Sequence, residues 1–255
     1  MLPVDKARRI LERGEYPSIL LSGGSDLTGR LPLMEHLSFI QWVHGQGIRI
    51  NAHVGLQSDE DIRVLSPLFD KVSLDYVWDD GTIHEVYHLR DRSGADYLHA
   101  VRGWLDAMEA DEQAKMSRAV DQHAGDARAL ARRRVGVHLT IGLKGGEVVG
   151  EYAAIDSLVP LEPASLIFLV LIPTEGTVYA HAPLVSIGDV ESVVRYARQR
   201  LPETDLILGC MHPRAAGYGR QLTELAQKYA FRGVVGERFA SGEQERVEEC
   251  CVFYR

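Results

Sequence analysis

A short apolar run that ends in paired glycines sets the plan of this chain. Ile19-Leu20-Leu21-Ser22-Gly23-Gly24-Ser25 leads into a turn with hydroxyls on either side. The run reads as a buried strand over 18–21. The glycines allow a sharp turn and a close approach of the backbone to a bound molecule. Parallel strands that end this way are where α/β proteins place their ligands. Six further short apolar runs follow, at 48–53, 71–74, 135–141, 165–171, 205–208 and 233–235.

Helical periodicity separates these runs. Val4, Ala7, Ile10 and Leu11 share one face of a helix over 4–14, with Gly14 as its stop. Similar patterns cover 33–46, 59–68, 79–87, 97–108, 150–158, 187–200 and 220–229. Residues 110–131, rich in Ala, Asp and Arg, read as a solvated helix or helix pair. Ser58 is a good N-cap, with Asp61 close behind. Strand and helix alternate throughout, the pattern of a parallel sheet covered by helices. The spacing predicts an α/β fold, a partial TIM-type barrel of about seven strands. A doubly wound open sheet is the runner-up, lowered by the lack of a Rossmann glycine fingerprint. No linker divides the chain, so 1–255 is expected to be one domain with a polar tail at 237–255.

Charge and cysteine usage narrow the function classes. The 255 residues carry a net charge of -8, with no basic tail or stripe for nucleic acid. Arg132-Arg133-Arg134 is explained by the last turn of a helix. Three cysteines, Cys210, Cys250 and Cys251, are too sparse and too odd for a disulfide framework and point to a reducing compartment. No signal peptide opens the chain, and the apolar run 164–173 is too short to span a membrane. A cytoplasmic protein acting on a small molecule is expected, without nucleic acid or membrane.

Polar residues collect at the strand ends: Ser22 to Ser25, Asn51 and His53, Asp75, His138 and Thr140, Pro173-Thr174-Glu175, and Cys210 to Arg214. His138 and Thr140, two apart in one strand, can both face the lumen. Asp75 is a ligand contact or a cap for the helix near Asp79. Glu147 and Glu151 flank a glycine-rich turn, and capping is the simpler role for Glu151. His53, His138 and His212 form an alternative metal triad for a barrel hydrolase, because imidazoles from several strand ends can converge on one ion. Cys210, Cys250 and Cys251 are three thiols that an auxiliary cluster could use, with unpaired cytosolic thiols as the plainer reading. No nucleophile elbow is present.

In their order and spacing these strand ends resemble the radical SAM superfamily, specifically its biotin-synthase-like branch. Ser22-Gly23-Gly24-Ser25 resembles the glycine motif after the family's second strand. His138-Leu139-Thr140-Ile141-Gly142 resembles the motif along the fifth. Leu171-Ile172-Pro173-Thr174-Glu175-Gly176-Thr177 and Leu208-Gly209-Cys210-Met211-His212-Pro213-Arg214 are similar to the ends of the sixth and seventh. The resemblance implies S-adenosylmethionine as cofactor. Ser22, Gly23, Gly24 and Ser25 would take its methionine part, Asp75 its ribose or amino acid, and Thr140, Ile141 and Gly142 its adenine. His53, His138 and Arg214 would meet the substrate, with Arg214 suited to a carboxylate or phosphate.

The departure from the family lies at the beginning. The family's CxxxCxxC loop holds a 4Fe–4S cluster that cleaves the cofactor to a 5′-deoxyadenosyl radical, which abstracts hydrogen from the substrate. This chain has no cysteine before Cys210. The first barrel strand is expected to be absent, leaving an edge open to a protein partner. The expectation is the barrel body of a longer radical SAM enzyme, inactive alone, ahead of a relative that lost its cluster. The alternative in another class is a non-catalytic barrel that binds S-adenosylmethionine, a nucleoside or a partner chain.

Overall fold

A computed structural model describes residues 2–118, 126–215 and 217–234. Seven strands form one sheet: β1 (Ser18–Leu21), β2 (Arg49–His53), β3 (Lys71–Asp75), β4 (Val135–Ile141), β5 (Ser165–Val170), β6 (Asp205–Leu208) and β7 (Gly233–Val234). They pair in sequence order, each parallel to the next. The helices are α1 (Val4–Leu11), α2 (Leu37–Gly45), α3 (Asp59–Leu65), α4 (Asp80–Val86), α5 (Gly94–Arg118), α6 (Ala127–Arg134), α7 (Glu151–Leu158), α8 (Ile187–Arg200) and α9 (Tyr218–Lys228). The sheet curls into a half-barrel, the partial TIM-type architecture expected from the strand spacing. Among the described residues β1 and β7 are its two edges, and no strand precedes β1.

The convex face carries the core. Ile50, Ala52, Val72, Leu74, Val137, Leu139, Ile141, Leu166, Phe168 and Leu208 alternate along their strands and pack with helix residues such as Ile62, Val101, Trp104, Ile155 and Val193. Side-chain caps fix the helix starts. The Asp61 N–H donates to Ser58 Oγ at 3.2 Å, and the Thr82 N–H to Asp79 Oδ2 at 2.6 Å. Asp79 itself therefore caps the helix for which Asp75 was a candidate. Along β1 and α1 runs an apolar groove of about 930 Å³, lined by Ala7, Ile10, Ile19, Leu21, Leu33 and Phe39 among others. No helix among the described residues is long and apolar enough to cross a membrane.

The region 97–131 departs from its sequence reading. α5 starts at Gly94 and runs unbroken to Arg118, joining the helix expected at 97–108 to part of the next segment. The Asp126 carboxylate starts α6 by accepting the Arg128 and Ala129 N–H groups at 2.9 and 3.2 Å. Residues 119–125 lie outside the described residues, as do 235 of the expected last strand and the whole tail at 237–255. No residue between 94 and 118 carries a helix stop, since Gly103 is tolerated inside a long helix and no Pro intervenes.

The arginine run closes α6, as its charge pattern implies, but its members do different work. Arg132 pairs with Glu162. Arg134 is only 11% exposed in its side chain and meets Asp111 at 2.6 Å and Glu112 at 2.5 Å. Its second terminal nitrogen donates to the Ser66 and Phe69 carbonyls at 2.9 and 2.7 Å. One guanidinium thus ties α5, the start of β4 and the turn before β3. Removing it leaves two half-buried carboxylates with Lys115 as their remaining cation and takes a donor from each of two carbonyls. Arg134→Ala should lower unfolding free energy by about 3 kcal/mol in urea denaturation, with Arg133→Ala, exposed, as the neutral comparison.

Candidate active site

Parallel pairing decides which side chains share the concave face. In a parallel sheet, Cα partners point to the same side, and so do residues two apart on one strand. His53 pairs with Ser73, and Asp75 pairs with His138. Asn51, His53, Ser73, Asp75 and His138 therefore form one polar stripe across β2, β3 and β4. The Ser73 hydroxyl donates to Asn51 Oδ1 at 3.1 Å, which ties the lower part of the stripe together. Leu20 pairs with Asn51 and extends the face to β1, where it is 48% exposed.

Three members of the stripe converge. A ligand atom from each of His53, Asp75 and His138 lies within 4.8 Å of the other two. The His53 and His138 rings stack nearly parallel, 7° apart in plane, with centroids 5.4 Å apart. His138 is 4% exposed, and its Nδ1 is sealed from solvent with no hydrogen-bond partner among the described residues. Asp75 keeps contact with solvent through the open cleft. Protein crowded around its carboxyl nonetheless raises its pKa, against the opposing charge of His53. Tyr87 and Tyr97 stand close by, and burial raises both, with the Asp75 charge adding to it.

A cleft of about 190 Å³ opens above this group. Ser22, Gly23, Ser25, Gly29, His53, Gly55, Ser73, Asp75, Tyr87, Leu89 and Tyr97 line it. A Cβ added at Gly23 or Gly24 would meet nothing within 4 Å, so these glycines border open space. The loop behind them is built by Asp26, whose Oδ1 accepts from the Thr28 N–H at 2.8 Å, the Thr28 hydroxyl at 2.7 Å and the Arg30 N–H at 3.1 Å. Arg30 in turn pairs with Asp61 on α3. The mouth of the cleft is thus held in place from the convex side.

Other expected site residues sit apart from this cleft. Thr140, two residues beyond His138, shares its concave face as expected but is half-buried outside the cleft, beside a small crevice with Tyr76, Trp78 and Lys144. Ile141 is wholly buried in the hydrophobic core. The Gly142 N–H donates to Glu151 Oε1 at 2.7 Å, while Glu151 Oε2 accepts from the Val149 N–H at 2.8 Å. Glu151 is thereby the clamp of the glycine-rich turn, and burial raises its carboxyl despite these amides. Arg214 is exposed beyond β6.

The histidine triad of the hydrolase reading is corrected in one member. His53 and His138 come together, but the third ligand beside them is Asp75 and not His212. His212 is buried with its ring Nδ1 2.9 Å from the Gly209 carbonyl, which it serves as a local brace. Asn51, named among the strand-end polar residues, does join the site; sequence reasoning missed Ser73, Tyr87 and Tyr97 as its neighbours. The signal for Ser73 was present: polar residues at i and i+2 in Ser73-Leu74-Asp75, as in Asn51-Ala52-His53.

The 4Fe–4S cluster implied by the family resemblance does not fit these residues. Among the described residues Cys210 is the one cysteine, exposed at the end of β6 and separated from β1 by four intervening strands. Cys250 and Cys251, the other members of the expected auxiliary set, lie outside the described residues. S-adenosylmethionine meets a better fit, because the cleft offers a carboxylate, hydroxyls and unobstructed glycine backbone for an aminoacyl end.

His138 also gives the site a pH signature. Burial, then the charge of His53, pushes its pKa from 6.5 down to about 3. Between those values the unfolded chain binds a proton that the folded chain refuses, so stability falls as pH drops below 6.5. Asp75, raised, acts in the opposite sense and loses its contribution as pH rises. Metal-free His138→Asn should therefore show a stability slope between pH 6.5 and 5 that is shallower than wild type by about 1 kcal/mol per pH unit. Urea denaturation across that range checks it, and equal slopes would contradict the buried neutral imidazole.

Comparison with known proteins places the fold. No family model matches the sequence, and no curated protein does. Solved structures do. The FeFe-hydrogenase maturase HydG from Carboxydothermus hydrogenoformans aligns with a TM-score of 0.59 at 18% identity, over 91% of this chain and 49% of that one. A second structure of HydG, a maturase of the FeFe-hydrogenase, gives 0.57 at 16% identity, over 91% and 49%. Methylornithine synthase, PylB, gives 0.52 at 14% identity, over 91% and 60%. The chain thus spans about half the length of the HydG structures and three-fifths of PylB. What it shares with them is the architecture: the chain carries their barrel fold in partial form.

Proposed function

We propose that this half-barrel binds S-adenosylmethionine, or an adenosyl ligand of its class, at the carboxyl ends of β1, β2 and β3. The observation that carries the reading is the cleft itself. Unobstructed glycine backbone at Gly23 lines the same opening as Asp75, and Gly24 next to it borders open space, in a fold of radical SAM type. At about 190 Å³ the cleft is smaller than the ~300 Å³ at the low end of drug-sized pockets. It suits one end of such a ligand, with the remainder lying over the open mouth of the half-barrel.

The chemistry of the lining assigns the ends. Ser22 and Ser25 offer hydroxyls, and the Gly23 and Gly24 backbone offers N–H donors for a carboxylate. The Asp75 carboxylate complements an ammonium or accepts from ribose hydroxyls. His53, beside it, and Arg214, beyond β6, are left for a small substrate. Radical formation and hydrogen abstraction from that substrate need a 4Fe–4S cluster and are assigned to no residue of this chain. The role proposed here is the ligand-binding body of such an enzyme, with the cluster held by cysteines other than Cys210.

Isothermal titration of EDTA-treated protein with S-adenosylmethionine tests this reading. One site per chain is expected. Gly23→Val and Gly24→Val should each weaken binding at least tenfold while leaving the folded spectrum unchanged, because the added atoms enter open space. No binding of S-adenosylmethionine, S-adenosylhomocysteine or adenosine to the folded protein would overturn it.

A further inference from the structure

The three converging side chains carry more than a polar lining. Two imidazoles and a carboxylate are a donor set used by divalent transition metals, with Zn²⁺ or a non-haem Fe²⁺ in the frequent three-ligand, open-position arrangement. Metal–ligand bonds of about 2.1 Å put the ligands of one tetrahedral ion roughly 3.4 Å apart. The observed separations, up to 4.8 Å, need only a small closure by side-chain rotation. The three come from adjacent parallel strands, whose register fixes their backbone positions.

Two of the three members also lack what a purely structural role would supply. His138 is buried with an orphaned Nδ1, and a buried polar nitrogen without a partner is costly. Asp75 gains no hydrogen bond from the described residues to offset the protein crowded around it, and the charge it faces is His53. A divalent cation between the three would satisfy the carboxylate and give the stacked imidazoles a common partner. The neighbouring Tyr87 and Tyr97 would bound the ion on the α4 and α5 side.

We infer that His53, Asp75 and His138 bind one divalent transition-metal ion on the concave face, with its remaining coordination positions open toward the cleft at Ser22–Ser25. The ion is held by protein side chains alone, so its binding needs neither S-adenosylmethionine nor an iron–sulfur cluster. An oxygen or amino ligand entering the cleft reaches the open positions directly.

The test uses the full chain, stripped with EDTA and titrated with Co²⁺ as spectroscopic probe, then with Zn²⁺ in competition. One Co²⁺ per chain is expected, with visible d–d bands of a nitrogen and oxygen site that Zn²⁺ abolishes. Asp75→Asn, which keeps the shape of the side chain, and His53→Gln should each weaken Co²⁺ binding at least a hundredfold with unchanged circular dichroism. Cys210→Ser should bind as wild type does. Uptake well below one ion per chain would overturn the inference. So would full binding in Asp75→Asn and His53→Gln, or binding lost in Cys210→Ser. The absence of S-adenosylmethionine from the assay separates this result from the ligand reading above, whose variants, Gly23→Val and Gly24→Val, should retain the metal.

Discussion

The sheet carries its alternating apolar residues on the convex face, where they pack with helix residues, and much of the molecule follows from that asymmetry. The apolar residues of each strand, such as Ile50 and Ala52 or Val72 and Leu74, are removed from water by the helices. Their alternating neighbours point to the opposite, concave face. Along β2, β3 and β4 these are Asn51, His53, Ser73, Asp75 and His138, and along β5 and β6 they include the buried Ile167 and Ile207. The polar site is thus a consequence of pairing register, which gathers the polar members of three adjacent strands on one face.

The concave face is crowded, and its groups respond in opposite directions. His138, at the inner end, is driven neutral by burial, whereas Asp75 is raised by the same crowding yet keeps solvent contact. A neutral imidazole beside a carboxylate that lacks hydrogen-bond donors is an arrangement waiting for a cation or an ammonium. Both the metal inferred here and the aminoacyl end of the proposed ligand answer that need. The fold shared with HydG and PylB covers most of this chain but half to three-fifths of theirs, so their whole activities do not carry over.

Much of the architecture was legible because local rules agreed with it. Strands ended within a residue or so of their apolar runs, the helix at Ile187–Arg200 matched its amphipathic pattern, and Ser58 capped α3 as its position implied. The long helix α5 was harder, because Ala, Asp and Arg fit a solvated helix with or without a break. The site was half legible. Its residues were visible as strand-end polars, but reading β2 and β3 as continuous apolar runs hid the i, i+2 alternation that puts Asn51 with His53 and Ser73 with Asp75. Pairing register, which puts Asp75 beside His138, depends on contacts between segments some sixty residues apart and has no local signature. His212 looked equivalent to the other histidines in sequence, yet its ring turned back onto its own loop.

The central claim is that one site forms where β2, β3 and β4 end on the concave face. Anomalous diffraction at the cobalt edge from crystals grown with Co²⁺ tests it most directly. The account predicts a single strong peak within bonding distance of His53, Asp75 and His138, with further density toward Ser22–Ser25. A peak at Cys210 or His212, or none on the concave face in well-ordered crystals, would contradict it.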